Sequence, residues 1–358
     1  MIEALQRIKI TRFIAASLVV AFHFRGDTWL LHTGPIGDLI AHGPVAVSYF
    51  FCLSGFLMAT VYTSDHRAGV QKAEFWIARF ARIYPNYIFA LLLFMLITHA
   101  RHSSEGLSIL LMQSWFPTHA IDANAPGWSL SVEIVFYLLF PFLIDLYYSG
   151  NFGRIAILLL TGLSWVTTML AYSHVAHSYA LNVESFVHDF VFYSPIFHIS
   201  EFLLGMCVAL CAKEVRYSVM LLVLLMAAGV TIYPLIGTVR ALAGFSPALT
   251  NGYLGFAFLV LIYFVTYTNA SWLSPLGAKW LVTLGDASYA MYIFQMPLKI
   301  IFSRLTSHLG LSSVTSFLSY YALLTYFSIY IMNKFERKYR IRINQYFFQK
   351  LGKTALAH

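Results

Sequence analysis

PVAVSYFFCLSGFLMATVY, residues 44–62, contains no charged side chain. A helix rises about 1.5 Å per residue, so about 20 apolar residues cross the roughly 30 Å hydrocarbon core of a bilayer. Applied to the whole chain, this rule predicts an all-α, polytopic membrane protein with about ten transmembrane helices. The predicted spans are 8–26, 44–62, 76–99, 128–148, 154–173, 192–212, 217–236, 250–268, 281–303 and 313–333.

The composition indicates the same class of protein. Of the 358 residues, 59% are hydrophobic and only 11% are charged, whereas a soluble domain carries about 25% charged residues. Aromatic residues make up 17% of the chain, which suits helices that place Trp and Tyr at both lipid–water interfaces. This composition excludes a soluble globular protein.

The distribution of Lys and Arg predicts the orientation in the membrane. With the N-terminus placed inside, 18 of the 23 basic residues fall in cytoplasmic loops or at cytoplasmic helix ends. Such loops are enriched in Lys and Arg in membrane proteins. Both termini are therefore predicted to be cytoplasmic. The net charge of +8 then indicates membrane lipids, and not nucleic acid, as a partner.

The chain is predicted to form one membrane domain, residues 1–335, followed by a basic cytoplasmic tail, residues 336–358. The stretch 106–116 is apolar but too short to span, which predicts a half-helix or an interfacial segment. The cysteines lie inside apolar runs without metal-ligand spacing to histidine, so they are interpreted as packing residues and no metal site is expected. They are Cys52, Cys207 and Cys211.

Ionisable residues inside predicted spans are the main functional candidates, because each costs about 2.5–3.5 kcal/mol to insert. The first span contains Arg12 and His23, which a helix would separate by about 16 Å. The interval is almost three helical turns, so both side chains should point to the same side of the helix. One of them should lie near each face of the membrane.

The third span begins with ARFARIYP, residues 78–85, where Arg79 and Arg82 lie one turn apart. Two adjacent guanidinium groups form a planar, multi-donor site suited to phosphate. The alternative interpretation is simple anchoring of a cytoplasmic helix end by snorkelling arginines.

The fourth span begins with PGWSLSVEIVFYLLFP, residues 126–141. Glu133 and Tyr137 are one turn apart in it, and Trp128 and Ser129 lie at its start. A carboxylate five residues into a span favours a catalytic or pore-lining role. The alternative is a structural ion pair with an arginine of another helix.

Two later spans carry further polar residues. Glu201 has Gly205 one turn away, so close helix packing there is as consistent with the sequence as a functional role. Ser288, Tyr292 and Gln295 repeat at helical spacing, which predicts a stripe that faces the bundle interior. Interhelical hydrogen bonding alone would explain Ser288 and Gln295.

Together, these segments resemble the acyltransferase-3 family of bacterial integral-membrane O-acyltransferases, from Arg12 to about Pro297. Gln295 departs from the family pattern, because many relatives have His there, and this puts a catalytic part for that position in doubt. The matching pieces are Arg12 with His23, VSYFFCLSGFL at 47–57, the Arg79 and Arg82 pair, WSLSVEIVFYLLFP at 128–141, EFLLGM at 201–206 and LGDASYAMYIFQMP at 284–297.

The resemblance implies a bacterial inner-membrane enzyme that transfers an acyl group, usually acetyl, from cytoplasmic acyl-CoA to a glycan hydroxyl. The leading acceptor would be an exopolysaccharide, capsule or O-antigen unit, free or on a lipid carrier, with a macrolide, peptide or oligosaccharide signal left open. A succinyl or longer acyl group is also left open, and no cofactor would be permanently bound. His23 would be catalytic, with Glu133 as the acidic partner. The remaining substrate-binding candidates are Arg12, Arg79, Arg82, Trp128, Ser129, Tyr137, Glu201 and Tyr292.

The residue types also suit acyl transfer. A hydroxyl acceptor needs a base with a near-neutral pKa, and His provides one. Transient acylation of the imidazole is an alternative role that the sequence leaves open. Ser129, Trp128 or a tyrosine are candidate donors to the oxyanion.

Two other functional classes remain open from the sequence. A transporter or flippase for a lipid-linked glycan or small solute would use the same buried charges as a pathway and would consume no acyl-CoA. A sensor or scaffold would use the polar stripe only to lock helices together. The sequence also leaves the oligomeric state open.

Overall fold

A computed structural model describes residues 2–62, 70–99, 104–179, 186–212, 215–241, 254–268 and 271–350. The described residues are mainly helical and include no β-strand, so the all-α prediction is confirmed. The helices are α1 Ile2–Arg7, α2 Lys9–Phe24, α3 Gly34–Ala41, α4 Val45–Tyr62, α5 Lys72–Thr98, α6 Glu105–Ile109, α7 Gly127–Tyr148, α8 Asn151–Tyr179, α9 Phe186–Tyr193, α10 Pro195–Cys211, α11 Tyr217–Ala241, α12 Gly255–Tyr267, α13 Lys279–Thr306, α14 Ser313–Ile331 and α15 Arg337–Lys350.

Every predicted span has a helical counterpart, but not every one of these helices is both long and apolar enough to cross a membrane on its own. Among the described residues, six helical stretches are long and apolar enough to cross a membrane, or up to seven if a bent pair forms one span. A count of ten also requires α2, α11, α12 and α13 to cross. Helix α2 has only 16 residues, fewer than the roughly 20 of a typical span. A multi-pass membrane fold is therefore supported, and the number ten stays a prediction.

Helices α4 and α10 cross in close contact in the middle of the fold. A Cβ atom added to Gly205 would lie 1.9 Å from the carbonyl oxygen of Cys52, and one added to Gly55 would lie 2.0 Å from that of Phe202. Small residues let helix backbones approach in this way. The packing role suggested for Gly205 is therefore confirmed.

The stretch 106–116 forms no spanning helix, as its length predicts, and its placement as a half-helix or interfacial segment stays a prediction. It includes the end of α6 and a 3₁₀ turn, Gln113–Trp115. The buried Gln113 side chain donates from Nε2 to the carbonyl of Gly127 at 3.0 Å, and Ser114 Oγ donates to the carbonyl of Trp128 at 2.7 Å. These bonds fix the first turn of α7 against the preceding segment.

The chain remains helical beyond the last predicted span. Helix α14 leads through a π-helical turn, Met332–Glu336, directly into α15, which packs against α5. The predicted boundary between residues 335 and 336 therefore falls inside a continuous helical segment, and the division itself stays a prediction. Residues 351–358 of the predicted tail lie outside the described residues.

Candidate active site

A cavity of about 100 Å³ lies between α2, α4, α5, α7 and α13. It gathers most of the polar candidates from four separate predicted spans, because each of these helices turns its polar positions inward. The candidates that line it are Arg12, Arg79, Arg82, Ser129, Glu133, Tyr137 and Tyr292. The structure therefore brings seven of the ten predicted site residues together.

The arginine side chains at this cavity are not neutralised by carboxylates. Arg79 donates from Nη2 to the hydroxyl of Tyr62 at 2.9 Å, and its guanidinium lies over the Tyr62 and Phe75 rings. Within the described part of the chain, no Asp or Glu lies within 4.0 Å of the guanidinium groups of Arg12, Arg79 or Arg82. This arrangement leaves cationic donors available to an anionic ligand.

Glu133 lies beside these arginines without pairing with them directly. Its carboxylate lies near the hydroxyls of Tyr137 and Ser54 and within range of the charges of Arg82 and Arg12. The described residues therefore show no ion pair between Glu133 and an arginine of another helix within 4.0 Å. The catalytic role predicted for Glu133 stays a prediction, and its position assigns it to the arginine end of the site.

Ser129 and Tyr292 join α7 to α13 on the wall of the cavity. Their hydroxyl oxygens are 2.9 Å apart, and Ser129 Oγ donates to the carbonyl of Pro126 at 3.1 Å. Because the Ser129 proton is directed at Pro126, Tyr292 is the donor in the pair. Either hydroxyl would have to exchange its partner before it could donate to an oxyanion.

His23 lies at the other end of α2, outside the lining of this cavity. Its Nδ1 is 2.9 Å from Oε1 of Gln295, and Gln295 Nε2 donates to the carbonyl of Tyr292 at 2.7 Å. Since a carbonyl only accepts, the amide orientation is fixed and Nδ1 of His23 must carry the proton. The lone pair is therefore on Nε2, which is the atom needed in a general base.

Lys299 holds the same histidine through the backbone. Its Nζ donates to the carbonyl of His23 at 2.7 Å and pairs with Asp27 at 2.5 Å. Two residues of α13, Gln295 and Lys299, thus fix both the ring and the main chain of His23. The sequence placed Gln295 on the interior stripe and gave interhelical hydrogen bonding as one explanation for it, but it did not name His23 as the partner and did not single out Lys299 for this contact.

Trp128 and Glu201 lie away from the cavity lining. The Trp128 ring contacts the rings of Phe51, Tyr193 and His198. Glu201 is buried, and its Oε2 is 3.0 Å from Nδ1 of His198, whose Nε2 donates to the carbonyl of Phe192. Their predicted substrate-binding roles stay predictions, since the structure places both in a packed aromatic and ionic cluster.

A second cavity of about 370 Å³ adjoins the first and shares Arg12, Arg79 and Arg82 with it. Its walls add charged residues from α2, α13, the π-helical turn and α15, which the sequence did not single out. These residues are Lys9, Asp286, Glu336, Arg337 and Arg340. Lys9 pairs with Asp286 at 2.9 Å. Because Lys9 and Arg12 both line the second cavity, this cavity lies at the same end of α2 as Arg12.

Comparison with known proteins identifies the family. A family model described as an acyltransferase domain, of the acyltransferase-3 family, matches residues 5–333. The protein named acyltransferase MdmB from Streptomyces mycarofaciens is 36% identical over 146 residues, which cover 36% of this chain and 36% of that relative. The match thus spans about a third of the length of the relative. No solved structure matches. Because the family match covers nearly the whole chain, the chain belongs to the acyltransferase-3 family.

Proposed function

We propose that this chain is an O-acyltransferase of the bacterial inner membrane that uses acyl-CoA to acylate a hydroxyl of a glycan. One observation carries the proposal. Helix α2 has Arg12 near its start, among guanidinium groups that have no carboxylate within 4.0 Å in the described chain, and His23, with Nε2 presented as a base, near its end. About ten spans with both termini cytoplasmic would place these two ends at opposite membrane faces.

The arginine end supports an anionic donor. Coenzyme A carries phosphate groups, and guanidinium groups bind phosphate through parallel charge-assisted hydrogen bonds. Arg12, Arg79 and Arg82 line one cavity without carboxylate partners within 4.0 Å in the described chain. Acetyl is the proposed acyl group because of the family resemblance.

The histidine end supports proton transfer from the acceptor. In the proposed reaction, Nε2 of His23 takes the proton of the acceptor hydroxyl as its oxygen attacks the thioester carbonyl carbon. The carbon–sulfur bond then breaks, and the leaving thiolate of coenzyme A takes up the proton from the imidazolium. In the alternative reaction, Nε2 attacks the thioester carbonyl carbon and the thiolate of coenzyme A leaves as the carbon–sulfur bond breaks. The acceptor oxygen then takes the acyl group from Nε2, the carbon–nitrogen bond breaks, and the hydroxyl proton passes to the thiolate. Both reaction schemes need a proton on Nδ1 of His23, and the hydrogen bond to Oε1 of Gln295 favours that tautomer.

The glycan acceptor is proposed from the same resemblance, as an exopolysaccharide, capsule or O-antigen unit that is free or lipid-linked. The apolar helices and the membrane location suit an acceptor that is presented at the lipid surface. The name of the matched relative specifies acyl transfer and no acceptor.

The proposal is tested by transfer of radiolabel from acetyl-CoA to glycan in membranes that contain wild type or His23→Ala at equal levels. We expect label on glycan with wild type and a loss of about 10²-fold or more with His23→Ala, the range for removal of a general base. His308→Ala is the matched control, because His308 is exposed beyond α13, and it should retain full transfer.

Two results would contradict the proposal. Near-normal labelling by His23→Ala would remove His23 from the mechanism. Transport of a lipid-linked glycan by wild type without consumption of acyl-CoA would instead support a flippase.

A further inference from the structure

The C-terminal helix α15 contributes to the wall of the second cavity. Arg337 and Arg340, in its first turn, line this cavity together with Arg12, Arg79 and Arg82. We propose that Arg337 and Arg340 form a second phosphate-binding lobe of the donor site, which holds the 3′-phosphate-bearing nucleotide of acyl-CoA. This inference rests on the proposed use of acyl-CoA and assigns α15 a part in binding it.

A buried hydrogen bond fixes α15 over the arginines of α5. Arg79, Arg82 and Asn86 lie on one face of α5, because they are separated by three and four residues. Asn86 is fully buried and donates from Nδ2 to Oε2 of the buried Glu336 at 2.8 Å. Glu336 is thereby held near Arg82, whose charge acts on it together with those of Arg340 and Arg12.

The π-helical turn sets which face of α15 meets the cavity. The turn Met332–Glu336 fits an extra residue into the helix, and one residue rotates the following α-helix by about 100°. Arg340 follows Glu336 by four residues, so it lies on the same face as the buried carboxylate. π-helical turns are often found at functional sites. Here the turn directs Arg340 inward and leaves Arg342 exposed.

The charge of the second cavity favours a polyanion. Its two carboxylates already have partners, since Asp286 pairs with Lys9 and Glu336 accepts from Asn86. Over the described ranges, no carboxylate lies within 4.0 Å of the guanidinium groups of Arg337 and Arg340. These guanidinium groups remain available to a ligand.

The two cavities differ in size, at about 370 Å³ for the second and about 100 Å³ for the adjoining one. The bulkier part of acyl-CoA, its nucleotide, is therefore assigned to the second cavity and the acylated arm to the direction of the first. Because both cavities share Arg12, Arg79 and Arg82, one extended ligand can occupy both. The shared arginines would then lie at the diphosphate between its two parts.

The test compares equilibrium binding of CoA and 3′-dephospho-CoA to the purified protein in phosphatidylcholine nanodiscs. Wild type should bind CoA more tightly. Arg340→Gln should weaken CoA binding by about tenfold, as expected for one charge-assisted contact, and should leave binding of 3′-dephospho-CoA almost unchanged. Arg337→Gln should act in the same direction. Arg342→Gln removes the same charge from the exposed face of α15 and should change neither affinity.

Several outcomes would overturn the inference, and they are distinguishable. If Arg340→Gln and Arg337→Gln retain the wild-type preference for CoA, α15 does not bind the 3′-phosphate, although acyl-CoA use by wild type still stands. If these variants change only the response to added phosphatidylglycerol, the arginines bind a lipid phosphate. If wild type binds neither CoA nor 3′-dephospho-CoA, the proposed function fails together with the inference.

Discussion

At the scale of single residues, Gln295 explains how His23 is held without a carboxylate. Its Oε1 accepts from Nδ1 of His23 and its Nε2 is committed to the carbonyl of Tyr292, so it fixes the ring and the tautomer together. A neutral amide orients the imidazole but stabilises an imidazolium less than a carboxylate does. Gln295 is therefore a positioning residue for the proposed base.

Gln295→Leu should reduce kcat by about fivefold or more, because the loss of one hydrogen bond of roughly 1 kcal/mol frees the ring to adopt other tautomers and orientations. The KM for acetyl-CoA should stay unchanged, since the contact is remote from the arginines. Steady-state kinetics on membranes with matched expression check this prediction.

Gln295→Glu provides the control for that experiment. It retains an acceptor for Nδ1, loses the donor to the carbonyl of Tyr292 and adds a negative charge that stabilises the imidazolium, so its kcat should exceed that of Gln295→Leu. Equal kcat values for wild type and Gln295→Leu would show that Gln295 does not position His23.

The predictions for single residues succeeded where the spacing of residues within one helix determined the result. The spacing of Arg79 and Arg82, and that of Glu133 and Tyr137, placed each pair on one face, and the structure brings all four to one cavity. The contact between His23 and Gln295 joins residues 272 positions apart. Helical periodicity within each span does not specify the register between two helices, so this contact could not be derived from sequence.

At the scale of helices, the α4–α10 contact is the most restrictive packing feature. Backbone carbonyls of Cys52 and Phe202 lie where Cβ atoms of Gly205 and Gly55 would be. Backbone cannot move aside as a flexible side chain can. Helix α4 also carries Ser54, Leu57 and Met58 on the cavity wall, so separation of these helices would disturb the site.

Gly205→Ala should destabilise the protein by about 1–3 kcal/mol through overpacking. The expected result is a lower Tm in detergent and a smaller folded fraction after membrane extraction, measured by size-exclusion chromatography after heating.

Gly162→Ala is the matched control, because Gly162 lies in α8 and a Cβ atom there would meet nothing within 4 Å. Its Tm should stay unchanged or rise slightly, since Ala has the higher helix propensity by about 1 kcal/mol. A similar loss of stability in both variants would indicate a general intolerance of side chains at these glycines, and not a specific α4–α10 contact.

Helix α15 shows where apolar patterning fails at the helix scale. Its sequence, RKYRIRINQYFFQK, is too polar to meet a criterion for membrane spans, so only a basic tail was predicted. Its position depends on the bond between Asn86 and Glu336, which are 250 residues apart. A search for apolar runs finds helices that face lipid. It does not find a charged helix such as α15, which packs on another helix.

At the scale of the whole molecule, the two ends of the described chain meet at one end of the bundle. Lys9, at the start of α2, and Arg340, in α15, line the same cavity. A chain whose ends lie on one side of a membrane crosses it an even number of times. The distribution of Lys and Arg also predicts both ends on one side, and the assignment of that side to the cytoplasm stays a prediction.

Single cysteines at exposed positions test this topology with a membrane-impermeant maleimide. Glu3→Cys and Arg342→Cys, near the two ends, should be protected in intact cells and labelled after lysis. Leu309→Cys, in the exposed turn between α13 and α14, should be labelled in intact cells. Cys52 and Cys207 are buried, so a Cys211→Ala background removes the remaining partly exposed thiol.

The three labelling results together decide between possible arrangements, because each pair of sites brackets a different part of the chain. Protection of Glu3→Cys and Arg342→Cys with labelling of Leu309→Cys requires α14 to cross the membrane and an odd number of crossings before it. Labelling of only one of the two end sites in intact cells would place Lys9 and Arg340 on opposite sides. The shared cavity could then not be a cytoplasmic donor site, because its two walls would face different compartments.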